Sequence, residues 1–185
     1  MRVYKLRKEE LAQLAMQNLT VSGVIIPDRA VNAGILIAST SVVWSEIVAK
    51  LRDDWSLAEQ IPSRVWEEII AGAFQKAGFN EVTLTPRSGD YGRDVIAIKR
   101  GIGCVKIIDS VKAYKSGHLV DYDDVRALLG VLSGERDASK AIITTTSAFP
   151  PRIAEDPFIA PFLPTRLELM DGPALQRWLE ELSTS

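Results

Sequence analysis

The sequence predicts an α/β fold, a mixed β-sheet flanked by helices, and two observations carry that prediction. From residue 63 onward the hydrophobic pattern runs helix, three strands, helix, strand, and this αβββαβ order requires a mixed sheet with helices on its faces. The chain is also long enough to bury one core: 185 residues, 46% of them hydrophobic. A charged fraction of 25% with 12 glycines and 9 prolines excludes a disordered or collagen-like chain.

The elements follow in order. Residues 8–18 and 42–53 read as helices and residues 21–26 as a strand, which makes residues 1–62 a small, mainly helical N-terminal module. Its apolar uncharged run Ala30 to Ser45 has 16 residues, fewer than the roughly 20 a spanning helix needs. That run also carries Asn32, Ser39, Thr40, Ser41 and Ser45, so it reads as a buried helix. The opening MRVYKLRKEE is charged, but no signal-type apolar run follows it. A boundary is expected at Gln60-Ile61-Pro62-Ser63, where Pro62 disfavours helix before it and Ser63 suits an N-cap.

Residues 65–77 then place Trp66, Ile69, Ile70, Ala73, Phe74 and Ala77 on one side of a helix that Gly78 ends. Glu67 falls at the edge of that apolar face, and Glu68 points away from it. Strands are expected at 81–85, 94–99 and 104–113, the last two joined by the tight connection Arg100-Gly101-Ile102-Gly103. A helix at 121–132 turns Val125, Leu128, Leu129 and Leu132 inward. Residues 141–146 form a β-branched strand, 166–170 a short strand, and 173–182 a closing helix with Pro173 in its first turn.

Charge and composition narrow the function. Lys+Arg number 22 and Asp+Glu 24, a net charge of −2 that excludes a protein coating nucleic acid by bulk charge. Residues 86–118 are the exception, with seven basic side chains against three acidic ones. Residues 1–62 balance seven against seven, so a helix-turn-helix there would lack a basic recognition helix. One cysteine, Cys104, excludes a disulfide framework and a cysteine zinc site, fits a cytoplasmic location, and reads as a small buried hydrophobe. The single histidine, His118, has no partner for zinc. Asp121, Asp123 and Asp124 lack the glycine and terminal glutamate of a calcium loop and read as helix-start acids. No dinucleotide fingerprint, Walker loop or nucleophile elbow is present.

The best chemical candidates sit on the adjoining strands. Alternation puts Ser110 and Lys112 on one face and Asp109 and Val111 on the other. If the two strands pair, Asp94 comes beside Ser110 and Lys112. A carboxylate, a second oxygen ligand and a lysine at one sheet end suit a divalent cation and an activated water, and Glu67 on the preceding helix would add a second carboxylate. The same residues also suit a turn carboxylate and a solvated strand lysine, and spacing alone does not choose.

A resemblance bears on that choice. Trp66-Glu67, Ala77-Gly78-Phe79, Ser88-Gly89-Asp90-Tyr91-Gly92-Arg93-Asp94-Val95, Val111-Lys112-Ala113-Tyr114, Val125-Arg126-Ala127-Leu128-Leu129-Gly130, Thr144-Thr145-Thr146-Ser147-Ala148-Phe149 and Met170-Asp171-Gly172 occur in an order that resembles the Mrr-type restriction endonuclease domain. That family belongs to the PD-(D/E)xK nuclease superfamily, and the similarity covers about residues 63–182. It implies a restriction-endonuclease-like fold and a metal-dependent DNA endonuclease using Mg²⁺ or Mn²⁺ in restriction of foreign DNA. By position it implies Asp94 as metal-binding aspartate, Lys112 as catalytic lysine and Glu67 as the helical glutamate that completes the site. Position 110, usually Gln or Glu in the family, is serine. Ser110 and the Val111 carbonyl are then the remaining metal ligands, and Asp90 a supporting carboxylate.

Within that resemblance Arg87, Arg93, Lys112, Lys115 and Tyr114 become candidate DNA contacts, while Lys99 and Arg100 lie at the far hairpin end. DNA is the expected partner, and a homodimer would supply the two active sites a double-strand cut needs. Ser110 motivates an alternative, a nuclease-fold DNA-binding module with weakened catalysis. Repair or junction cleavage by the same chemistry is a third reading.

Overall fold

The computed structural model describes residues 23–86 and 92–184. The expected helix at 8–18, the start of the strand expected at 21–26, and Arg87, Ser88, Gly89, Asp90 and Tyr91 lie outside the described residues. Within them, one seven-stranded sheet runs in chain order: β1 (Ile25–Val31), β2 (Gly34–Thr40), β3 (Glu81–Leu84), β4 (Val95–Gly101), β5 (Gly103–Lys112), β6 (Lys140–Thr145) and β7 (Leu167–Met170). The first five strands pair antiparallel, and β5, β6 and β7 pair parallel. The helices are α1 (Val42–Asp53), α2 (Ser63–Lys76), α3 (Tyr122–Gly134) and α4 (Gly172–Ser183). The mixed sheet flanked by helices is the expected fold, and α2-β3-β4-β5-α3-β6 is the αβββαβ core.

Two apolar layers sandwich the sheet. On one face Trp44, Trp66, Ile69, Ile70, Phe74, Leu175 and Leu179, from α1, α2 and α4, pack against Ile35, Val82, Leu84, Val95 and Ile107. On the other face Val125, Leu128, Leu129 and Leu132 of α3 pack with Ile153 and Ile159 against Ile96, Ile108, Ala141 and Ile143. The two clusters take alternate residues of β4 and β5, as a period of two requires.

Residues 25–60 do not stand apart as a mainly helical module. The run 30–45, expected to be one buried helix, contains the end of β1, a turn at 32–33, β2 and the start of α1. Gly34 lets the chain reverse there: its φ is +148°, and a Cβ at this position would stand 2.1 Å from the Leu84 carbonyl oxygen. Ile35 and Ile37 are buried in alternation, so the run satisfies a strand period that its lack of charge concealed. Across the expected boundary, Trp44 of α1 lies over Gly72 of α2, where a Cβ would come within 2.6 Å of the indole, and Trp44 Nε1 donates to Ile69 O at 2.9 Å. The residues on both sides of position 62 therefore share one core.

Three smaller expectations are corrected. Ser63 is the first residue of α2 rather than its cap, and the Pro62 carbonyl accepts from Val65 N and Trp66 N. Glu68 is buried, although the helical wheel left it to solvent. Cys104 is exposed, because the β4–β5 hairpin extends past both helical layers to the fully exposed Ile102.

Candidate active site

The site forms where β4 begins and β5 ends. β4 and β5 pair with Val95 opposite Asp109 and Ile96 opposite Ile108. Asp94 stands one residue before this ladder and is tied to β5 twice. Its amide donates to Asp109 O at 2.8 Å, and its carboxylate Oδ2 accepts from Val111 N at 2.6 Å. A charge-assisted bond to a backbone amide fixes the carboxylate against the strand that carries Ser110 and Lys112.

A bracket from β3 holds the same residue from behind. Thr85, fully buried, donates from N to Asp94 O at 3.0 Å and from Oγ1 to Arg93 O and Asp94 O. Arg64 of α2 donates to Thr85 O at 2.9 Å and pairs with Glu67 at 2.5 Å. Glu67 thus approaches from the opposite helical layer and is linked to the Asp94 main chain through Arg64 and Thr85.

Ser110 is buried, and Lys112 is half-buried on the same face of β5, turned toward α3. Lys112 Nζ lies 3.0 Å from Asp124 Oδ1 in the first turn of α3. Burial opposes the charged form of Lys112, but the hydrogen bond and charge of Asp124, with the charges of Tyr114 and Asp94, outweigh it and raise the pKa. Lys112 is therefore an ammonium at neutral pH, suited to stabilising negative charge rather than accepting a proton. Tyr114 donates its hydroxyl to Asp124 Oδ2 at 3.3 Å and packs its ring edge-on against His118, with centroids 4.4 Å apart. Burial and the Asp124 charge raise the Tyr114 pKa. Asp124 was missed at the sequence level, where it reads as one of three helix-start acids. Its position three residues into a helix that follows the lysine strand was the available signal.

The expected metal ligands divide in two. Asp94 and Ser110 belong to the α3 face, where the Val111 amide meets the Asp94 carboxylate, whereas Glu67 comes from α2 on the other layer. Among the described residues no group of three or more His, Cys, Asp or Glu side chains comes together to hold a metal ion. One carboxylate with neutral oxygens fits Mg²⁺ or Mn²⁺, hard cations that keep several waters and take few protein ligands, and does not fit zinc.

The basic block is largely neutralised by folding. Arg93, a candidate DNA contact, pairs with Glu135 at the end of α3, and Lys106 pairs with Glu135 at 2.9 Å and Asp137 at 3.0 Å. Arg100 pairs with Glu81 at 2.6 Å, and Lys99 lies over the Phe79 ring. Lys115 is exposed in the loop after β5. Arg87 lies outside the described residues.

Comparison with known proteins places this geometry in a family. The solved structure of the MspJI restriction endonuclease in complex with a 27-mer oligonucleotide is 18% identical, with a TM-score of 0.42 over 77% of this chain and 34% of that one. The DNA modification-dependent restriction endonuclease AspBHI is 12% identical, with a TM-score of 0.47 over 79% of this chain and 41% of that one. The chain thus spans well under half the length of either. No curated protein matches. A family model described as restriction endonuclease, of the Mrr catalytic type, matches residues 58–179, which include α2, the whole β3–β7 sheet and every described residue of the site. The chain belongs to the restriction endonuclease family.

Proposed function

We propose that this chain is a divalent-metal-dependent DNA endonuclease that hydrolyses phosphodiester bonds in restriction of foreign DNA. The observation that supports it most is the pairing, at one end of β5, of a carboxylate fixed by Val111 N at 2.6 Å with an ammonium fixed by Asp124 at 3.0 Å. Membership of the restriction endonuclease family supports assigning this pair to DNA cleavage.

In this reading Asp94, Ser110 and the Val111 carbonyl hold Mg²⁺ or Mn²⁺, with Glu67 as the outer carboxylate. When bound, the cation supplies Lewis-acid activation of water and of the phosphate. Asp94 orients the attacking water from its fixed place at the head of β4. Lys112, kept charged, offsets the negative charge that builds on the phosphate oxygens as the new bond forms. Lys115 and Tyr114 border the path a DNA backbone would take, and Arg87 is a further candidate contact. Arg93 reaches a phosphate only by exchanging Glu135 for it. No described helix is long and apolar enough to cross a membrane.

Nicking of supercoiled plasmid with Mg²⁺ tests the reading. The wild type is expected to cleave, Asp94→Asn and Lys112→Ala to lose about a thousandfold in rate, and EDTA to abolish cleavage. Equal rates for all three proteins would overturn the assignment. A second reading rests on Ser110, which puts a neutral hydroxyl where the family places an acid or amide. It makes the chain a DNA-binding module of nuclease fold, recognised by salt-sensitive DNA binding without metal-dependent cleavage.

A further inference from the structure

Lys112 is the terminal residue of β5, with a flexible four-carbon stem that chain connectivity alone does not aim. What aims it comes from the opposite side of a crossover. Asp124 presents one oxygen to Lys112 Nζ at 3.0 Å and the other to the Tyr114 hydroxyl at 3.3 Å. The two donors stand two residues apart on the same side of the β5 extension, so one carboxylate bridges them. Asp124 is itself well anchored: the neighbouring Val125 is fully buried, and the first helical turn favours an anion. The other acid of that turn, Asp123, faces outward to Arg126 at 3.4 Å and is exposed. Only Asp124 of the pair turns toward the sheet.

We propose that Asp124 is a positioning residue for phosphodiester cleavage: together with Tyr114 it holds the Lys112 ammonium toward the Asp94 end of β5. The inference rests on the function proposed above and adds the group that acts through the lysine. Both partners of the pair are about a quarter exposed, 27% for Lys112 and 24% for Asp124, so the pair adds little to stability. Its consequence is geometric, because a reacting group displaced by an ångström loses up to about a hundredfold in rate.

The test uses the full chain and two independent readouts. In Mg²⁺-dependent plasmid nicking, Asp124→Asn is expected to lower kcat about 10- to 100-fold with KM for DNA and the thermal midpoint unchanged. Asp124→Glu should recover most of the rate, and Tyr114→Phe should lower it by about threefold. Combined with Lys112→Ala, Asp124→Asn should add no further loss, since its effect passes through the lysine. The second readout is the side-chain ¹⁵N signal of Lys112 in metal-free protein, expected to be resolved in the wild type and lost to exchange in Asp124→Asn. Additive losses, wild-type kcat in Asp124→Asn, or an unchanged Lys112 signal would each overturn the positioning role. Absence of cleavage by the wild type would instead overturn the proposed function, with the lysine signal still deciding whether Asp124 holds Lys112.

Discussion

The two faces of β5 treat acidic and polar side chains in opposite ways. Toward α3, Lys112 and Asp124 form a partly exposed ion pair, and the half-buried Asp94 carboxylate accepts a backbone amide. Toward α2 and α4, Asp109 is completely buried; its Oδ2 accepts from Thr144 Oγ1 at 2.9 Å, and its Oδ1 has no partner among the described residues. Burial pushes the Asp109 carboxyl well above the usual carboxylate range, the Thr144 hydrogen bond opposes this, and the charges of Asp94 and Glu168 add to it. One strand thus carries a carboxyl that water and cations do not reach beside a residue pair that they do. Alternation, more than residue type, decides which acid is available for chemistry.

The sharpest way to break that comparison is to neutralise both acids. Asp94→Asn is expected to slow plasmid cleavage about a thousandfold with little change in thermal midpoint. Asp109→Asn should leave the rate within about twofold of wild type, because its face has no route to substrate. Equal losses would mean that the faces are not functionally distinct. A smaller effect is expected from enlarging the site face: Ser110→Gln should raise cleavage about tenfold at limiting Mg²⁺, read from the metal dependence of the rate. No change would detach position 110 from the cation.

The sequence carried the αβββαβ core to within one or two residues, because β3 through β7 are short β-branched runs between clear turns. Alternation along β5 alone also separates Ser110 and Lys112 from Asp109 and Val111. β2 was hidden because residues 30–45 hold no charge to mark a period, and the turn at Gly34 depends on a contact with Leu84 far along the chain. Burial of Glu68 was invisible because a helical wheel shows one helix at a time and not what packs over it. Asp124 escaped notice because a helix-start acid has a sufficient local explanation, whereas its link to Lys112 is purely tertiary. The basic block was legible as a count, but not as a set of pairs with Glu135, Asp137 and Glu81.

On the buried face, Thr144→Val tests whether the hydroxyl hydrogen bond to Asp109 matters. The substitution keeps the shape and removes the hydroxyl that Asp109 Oδ2 accepts from, so a loss of about 1–2 kcal/mol is expected in urea denaturation. The raised pKa of Asp109 gives the finest test, because its sign is fixed. Below about pH 4 both the folded and the unfolded carboxyl are protonated, and the native state keeps its full advantage. As the pH rises from there toward the folded-state value, the unfolded chain ionises while Asp109 stays protonated, so wild-type stability falls across that window. Asparagine does not titrate. The stability gain of Asp109→Asn over wild type should therefore be smallest near pH 4 and grow steadily as the pH rises toward the folded-state value, measured in EDTA so that no cation is bound at Asp94. A gain independent of pH would show that Asp109 is ionised in the fold, and the contrast between the two faces of β5 would then rest on position alone.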